Sequence, residues 1–167
     1  MTPSILAYQP IDRIRRNHGL EHATIHVLAA GKRRTMAGYS DTGGFYLLGD
    51  LTAEEIGAGV NEALQRMRGG EHDLAVHPEC GTNYVTAGAF AALAGFVALI
   101  GARGFRAKLE RFPLMFALVT AALLAAQPVG LSLQANVTTS GLMGHMEVAS
   151  IMKINDHPVL HRVETRG

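Results

Sequence analysis

The side chains best suited to hold a metal ion fall in two short stretches of this chain. The first reads Asn17-His18-Gly19-Leu20-Glu21-His22-Ala23-Thr24-Ile25-His26 and contains H-x-x-E-H at His18, Glu21 and His22. Residues four apart share one face of an α-helix, so His18 and His22 can grip one ion. Glu21 falls on the same side, where a carboxylate can act as a general base toward water. His26 extends that face by a turn, as a third ligand or as a partner orienting one. The second stretch is His77-Pro78-Glu79-Cys80-Gly81-Thr82-Asn83. It sets an imidazole and a thiol three positions apart in a Pro/Gly turn, a spacing that suits zinc or iron. Together the stretches offer His18, His22, His77 and Cys80. Three protein ligands with an open position do chemistry, whereas a closed four-ligand site is structural; the sequence leaves both open. Taken singly, each stretch also fits a plainer reading. The first is then a histidine-bearing helix face, and the second a turn with Cys80 as a small buried hydrophobe.

The other histidines carry less. His72 sits in a charged turn, His145 follows a glycine, and His157 and His161 flank an expected turn. There is no phosphate-binding glycine loop, no G-x-S-x-G elbow and no basic-aromatic surface. The net charge is +1, so no field draws the chain to nucleic acid. With a single cysteine, no disulfide can form within the chain.

The elements that must position these residues follow from local pattern. Pro10 to Ala30 reads as a helix, with Pro10 in the first turn, Ile14, Ile25 and Leu28 as an apolar stripe, and Gly31 as the C-cap before Lys32, Arg33 and Arg34. Thr35 to Leu48 reads as two short strands around a turn. Thr52 and Glu55 form a capping box opening a helix from Ala53 to Arg68, which Gly69 and Gly70 stop. Leu74 to Val76 is expected as a short strand. Met146 to Ile154 and Val159 to Val163 are expected as strands around Asp156-His157-Pro158.

Between these lie two long uncharged segments, Tyr84 to Ala102 and Phe112 to about Asn136. A spanning helix needs about 20 mostly apolar residues. In the first, Ala87, Ala91 and Gly95 recur every four positions, a spacing that lets helices approach closely in a bilayer. The connector carries Arg103, Arg106, Lys108 and Arg111 against Glu110, and its shortness implies an antiparallel hairpin. The positive-inside rule draws that loop to the cytoplasm. The absence of a signal-peptide pattern at the N-terminus, and the basic run at Lys32 to Arg34, draw the head there instead. A cytoplasmic head is the expectation. The competing reading is a helical hairpin buried in a soluble protein or oligomer. The fold class expected is α+β: a metal-binding head (1–83), a two-helix transmembrane hairpin (84–136), and C-terminal strands (137–167) packing on the head.

His18-Gly19-Leu20-Glu21-His22-Ala23-Thr24-Ile25 and His77-Pro78-Glu79-Cys80-Gly81-Thr82, followed by a membrane helix, resemble the YqhQ-like bacterial membrane proteins, which are described as predicted metal-dependent enzymes. The resemblance covers about residues 17 to 100. It implies that His18, Glu21, His22, His77 and Cys80 carry the site. The function expected is a membrane-bound zinc (or iron) hydrolase, with a peptidase as one form. Glu21 would be its catalytic base, and His18, His22, His77, Cys80 and His26 the candidate ligands. The alternative is a non-enzymatic accessory or assembly subunit of a membrane complex, with a structural metal. A third reading has no metal and makes the histidines a pH sensor. The expected partners are the lipid bilayer and either a second copy or a larger membrane complex.

Overall fold

The computed structural model describes residues 5–30 and 34–167. The fold is α+β, and the chain divides into two compact units: Met1–His77 with Gln134–Gly167, and Pro78–Leu133.

In the first unit, helix α1 spans Ile11–Ala29. Pro10 is its N-cap, just outside the helix rather than in the first turn. Asp12 pairs with Arg16 at 2.9 Å, an anion near the positive end of the helix. Of the expected stripe, Ile25 is buried and Leu28 packs on the core, but Ile14 is exposed. The expected C-cap Gly31, with Lys32 and Arg33, lies outside the described residues.

Strands β1 (Ala37–Asp41) and β2 (Gly44–Leu48) form a hairpin, with Asp41 opposite Gly44. The Asp41 carboxylate accepts the Gly43 and Gly44 N–H groups at 2.7 and 3.1 Å, which closes the turn. Gly44 has φ +146° and lies against the Val163 carbonyl, so a side chain there has neither the backbone angle nor the room. Helix α2 spans Ala53–Arg68, with both bonds of the Thr52/Glu55 capping box and Gly69 as C-cap. Strands β3 (Glu147–Asp156) and β4 (Val159–Arg166) complete an antiparallel sheet in the order β1-β2-β4-β3. Each of these strands runs past its expected end, because cross-strand pairing continues to Asp156 and Arg166.

Period-two alternation sets the core face of the sheet. Phe45 and Leu47 on β2 and His161 and Val163 on β4 are buried, and Phe45 lies opposite Val163 and Leu47 opposite His161. Leu20 of α1 and Ile56, Val60 and Met67 of α2 fill the other side of that core. The expected strand at Leu74–Val76 is instead a 3-10 turn over His72–Ala75, followed by extended Val76. Its carbonyls serve α1, not a neighbouring strand.

In the second unit, α3 spans Gly81–Leu99, α4 Gly104–Glu110 and α5 Phe112–Leu133. Helix α3 starts three residues before the expected span because the Cys80 sulfur accepts the Thr82 N–H at 3.5 Å and caps it. The Arg111 guanidinium donates to the carbonyls of Ala98 and Ile100 at 3.2 and 2.5 Å, satisfying the end of α3. Helices α3 and α5 come close at Gly130, where a Cβ would stand 2.5 Å from Asn83 Oδ1 and 3.2 Å from its Cα. At Gly95 a Cβ would meet open space, and Ala87 of the same stripe lies beside Leu123, Gln127 and Leu131 of α5. Both α3 and the run Phe112–Thr138 are long and apolar enough to cross a membrane, and only 11% of the most apolar window of each is buried.

Candidate metal centre

The second half of α1 is buried from Asn17 to Ile25 with no residue fully exposed to water, so its polar side chains must find partners inside the fold. The histidines do so through backbone carbonyls of two segments, Ala75–Val76 and Thr138. His22 Nδ1 lies 2.7 Å from the Ala75 carbonyl, and His26 Nε2 lies 2.9 Å from that of Val76. His18 Nδ1 lies 3.1 Å from the carbonyl of Thr138. Thr138 ends a π-helical turn, Gln134–Thr138, that follows α5. Such turns recur at functional sites. Arg15 braces this turn by donating to the carbonyls of Val137 and Thr139 at 2.7 and 3.0 Å.

A carbonyl oxygen only accepts, so each of these bonds assigns the proton to the ring nitrogen that makes it. His18 and His22 therefore each carry a proton on Nδ1, and the carbonyl that takes it fixes the orientation of the ring. This is the usual way a protein orients a metal-binding imidazole. The two rings stand 4.4 Å apart between centroids, and a nitrogen of one lies within 4.8 Å of a nitrogen of the other. His26 holds its proton on Nε2, so it presents the other nitrogen.

His77 joins the same cluster. Its ring centroid is 4.8 Å from that of His26 and 5.7 Å from that of His22. Its backbone N–H donates to Gln134 Oε1 at 2.9 Å, and Gln134 is fully buried. The four imidazoles His18, His22, His26 and His77 thus form one row along α1. Cys80 belongs to the second unit and follows His77 by three residues.

Glu21 faces the sheet side of α1. It is 4% exposed, and the Ser40 hydroxyl of β1 donates to its Oε2 in a short hydrogen bond. Burial pushes its carboxyl above the usual range, while the Ser40 bond pulls it back. Gly38 of β1 makes room for it, since a Cβ there would stand 2.5 Å from Glu21 Cδ and 2.7 Å from Cγ. Gly19 plays the same part on another side of the helix, lying against the Ser140 carbonyl and Ala75.

Pattern reading did not reach Ser40, Gln134, or the carbonyls of Ala75, Val76 and Thr138. Ser40 has no sequence signal, and Gln134 lies at the end of a long apolar segment. Sequence also placed His161 beside a turn, whereas it is 1% exposed on the core face of β4.

No solved structure matches the chain. An uncharacterized protein of Picosynechococcus sp. is 36% identical over 143 residues, covering 76% of this chain. The chain spans 66% of that relative's length, just under two thirds. A family described as a domain of unknown function, DUF6391, matches residues 13–151, a stretch that includes the α1 histidines, His77, Cys80 and both long apolar helices. The chain belongs to the DUF6391 family.

Proposed function

We propose that this protein is a membrane-anchored metal hydrolase whose head holds zinc, or iron, on His18 and His22. The observation that carries this reading is the tautomer lock. Two imidazoles four residues apart on one helix both spend their Nδ1 proton on a backbone carbonyl, at 3.1 and 2.7 Å, which fixes both rings in place side by side. Nitrogen donors at this spacing fit zinc and iron. His77 and Cys80 are the further ligands this reading assigns, since three residues of chain limit Cys80 to about 10 Å from His77. His26, tied to Val76 and packed on His77, orients that side of the cluster. When bound, the ion supplies Lewis-acid polarisation of an oxygen. Glu21 holds and releases the proton that hydrolysis must move. Its burial favours the protonated form, and Ser40 fixes its orientation.

The long apolar helices support the anchor. Phe96, Phe116 and Leu124 are among the large side chains they expose, and a bilayer is the medium that covers such a surface. Within these helices the hydroxyls of Thr86 and Thr120 are spent on carbonyls four residues back, as a lipid medium demands. The head is assigned to the cytoplasmic side.

One observation favours a second reading, a structural metal in an accessory or assembly subunit of a membrane complex. Glu21 is buried and already engaged by Ser40, which suits a carboxylate that braces α1 against β1 rather than one that meets substrate.

The test begins with full-length protein purified in mild detergent without a histidine tag, its bound metals measured by mass spectrometry beside His22→Ala. The expected result is about one zinc or iron per chain, lost in the variant. No metal in either protein overturns both readings. Glu21→Gln then separates them, because it keeps the metal under both but abolishes hydrolysis only under the first.

A further inference from the structure

Charge in the unit Pro78–Leu133 is confined to two places. Glu79 precedes α3, and Arg103, Arg106, Lys108, Glu110 and Arg111 stand together between α3 and α5. The two long apolar helices carry none. Helix α4, Gly104–Glu110, therefore presents a local excess of positive charge, four cations against one carboxylate. It also presents apolar surface. Phe105 and Leu109, four apart on one face of α4, are 82% and 61% exposed, and Phe112 follows at 53%. A basic residue adjoins each of the first two, Arg106 beside Phe105 and Lys108 beside Leu109. Arg111 is already spent on the carbonyls that end α3. Arg103 and Lys108 are exposed and pair with no carboxylate among the described residues. Arg106 meets Glu110 at 3.2 Å, but these side chains are 94% and 67% exposed, and a pair so open to solvent holds weakly.

We propose that α4 binds anionic phospholipid, with Phe105 and Leu109 among the acyl chains and Arg103, Arg106 and Lys108 on the headgroup phosphate. This rests on the membrane-anchor reading of α3 and α5 and is independent of the metal. An apolar face flanked by basic side chains is the composition of a helix at a membrane surface. The long stems of lysine and arginine cover apolar surface while their charged ends reach the headgroups. The guanidinium groups of Arg103 and Arg106 suit a phosphate, which can take two of their N–H groups at once. Charge selects among lipids. Phosphatidylglycerol keeps the negative charge of its phosphate, whereas the trimethylammonium group of phosphatidylcholine cancels it, so only the first complements the excess of cations on α4. A soluble phosphate would satisfy the cations but leave Phe105 and Leu109 in water.

The test titrates the full chain, in a detergent without net charge, with phosphatidylglycerol or phosphatidylcholine, and counts bound lipids by native mass spectrometry. The expected result is about tenfold preference for phosphatidylglycerol. The triple variant Arg103→Gln, Arg106→Gln, Lys108→Gln should lose that preference, and Arg103→Gln or Lys108→Gln alone should reduce it about twofold or more. The single variants remove no contact within the fold, which an unchanged circular dichroism spectrum checks. Equal retention of the two lipids by the wild type, or a preference that persists in the variants, overturns the proposal. Displacement of the lipid by glycerol 3-phosphate also overturns it, because the site then reads a soluble phosphate. A dimer in the same spectra that Phe105→Ser converts to monomer gives the apolar face to a second copy, with the same consequence. Alkaline carbonate extraction of membranes reads the anchor separately. A chain that is washed off loses the anchor and this proposal with it, whereas a chain that resists extraction but shows no lipid preference loses this proposal alone.

Discussion

Gly19→Ala sets two effects of known size against each other. In a helix interior, Gly→Ala gains about 0.8–1.0 kcal/mol of propensity. At Gly19 the new Cβ falls inside the van der Waals shell of the Ser140 carbonyl oxygen, 3.1 Å from its carbon and 3.2 Å from Ala75 Cβ. Backbone cannot rotate away as a side-chain tip can, so relief requires a shift of about 1 Å to reach an ordinary C···O contact of about 3.3 Å. Overpacking of this kind costs about 1–3 kcal/mol and sometimes more. Backbone-on-backbone overlap of this depth puts the packing cost in the upper part of that range, so packing wins and the variant loses up to about 2 kcal/mol net. The shift also has a functional consequence. Ala75 supplies the carbonyl that orients His22, and Ser140 follows the turn that supplies Thr138 to His18. Pushing these segments from α1 loosens both imidazoles, so on the proposed metal-binding reading bound zinc or iron falls along with stability. Gly57→Ala in α2 is the control. Its Cβ meets only Ile151 Cδ1, at 3.5 Å, an ordinary contact. That variant gains about 1 kcal/mol. The assay is thermal melting of both variants in detergent, followed by metal analysis. If Gly19→Ala melts at or above wild type, as Gly57→Ala should, the reasoning about the α1 contact is wrong.

The buried His161 also predicts an acid sensitivity. Its folded imidazole titrates below the ordinary value of about 6.5, so the stability it contributes is complete above that value and is lost as pH falls through the folded value. The drop in melting temperature from pH 7.5 to 5.5 should be smaller in His161→Leu than in wild type, and an equal drop would show that another group sets it. Phe45→Ala removes a fully buried ring from the centre of the sheet, at a cost of about 3–5 kcal/mol. Denaturant unfolding of the head should read this loss, and a cost under about 1 kcal/mol would contradict the core described here. Gly130→Val should drive Asn83 from α5, opening the α3–α5 hairpin. Cysteine cross-linking between engineered pairs on these helices should then slow markedly, whereas Gly95→Val, with open space around it, should leave the rate unchanged.

Period and punctuation made much of the fold legible in the sequence. The Thr52/Glu55 box and the Gly69-Gly70 stop mark the limits of α2 because both signals act within a turn of chain. The paired strands before Thr52 and after Met146 show in their alternation and turns, and the two apolar runs stand out by length alone. Spacing also placed His18, Glu21, His22 and His26 on one helix, since that needs only 3.6 residues per turn. What local pattern cannot carry is partnership across distance. That Leu74–Val76 turns rather than pairs depends on α1 taking its carbonyls. That Glu21 meets Ser40 depends on where β1 packs. That His161 points into the core rather than to water depends on the register of β4 against β2, where a shift of one residue would reverse it. The ligand-type residues were written in the sequence. Which ring nitrogens of His18, His22 and His26 give their protons to the backbone was decided only when the tertiary fold brought the carbonyls of Ala75, Val76 and Thr138 to α1.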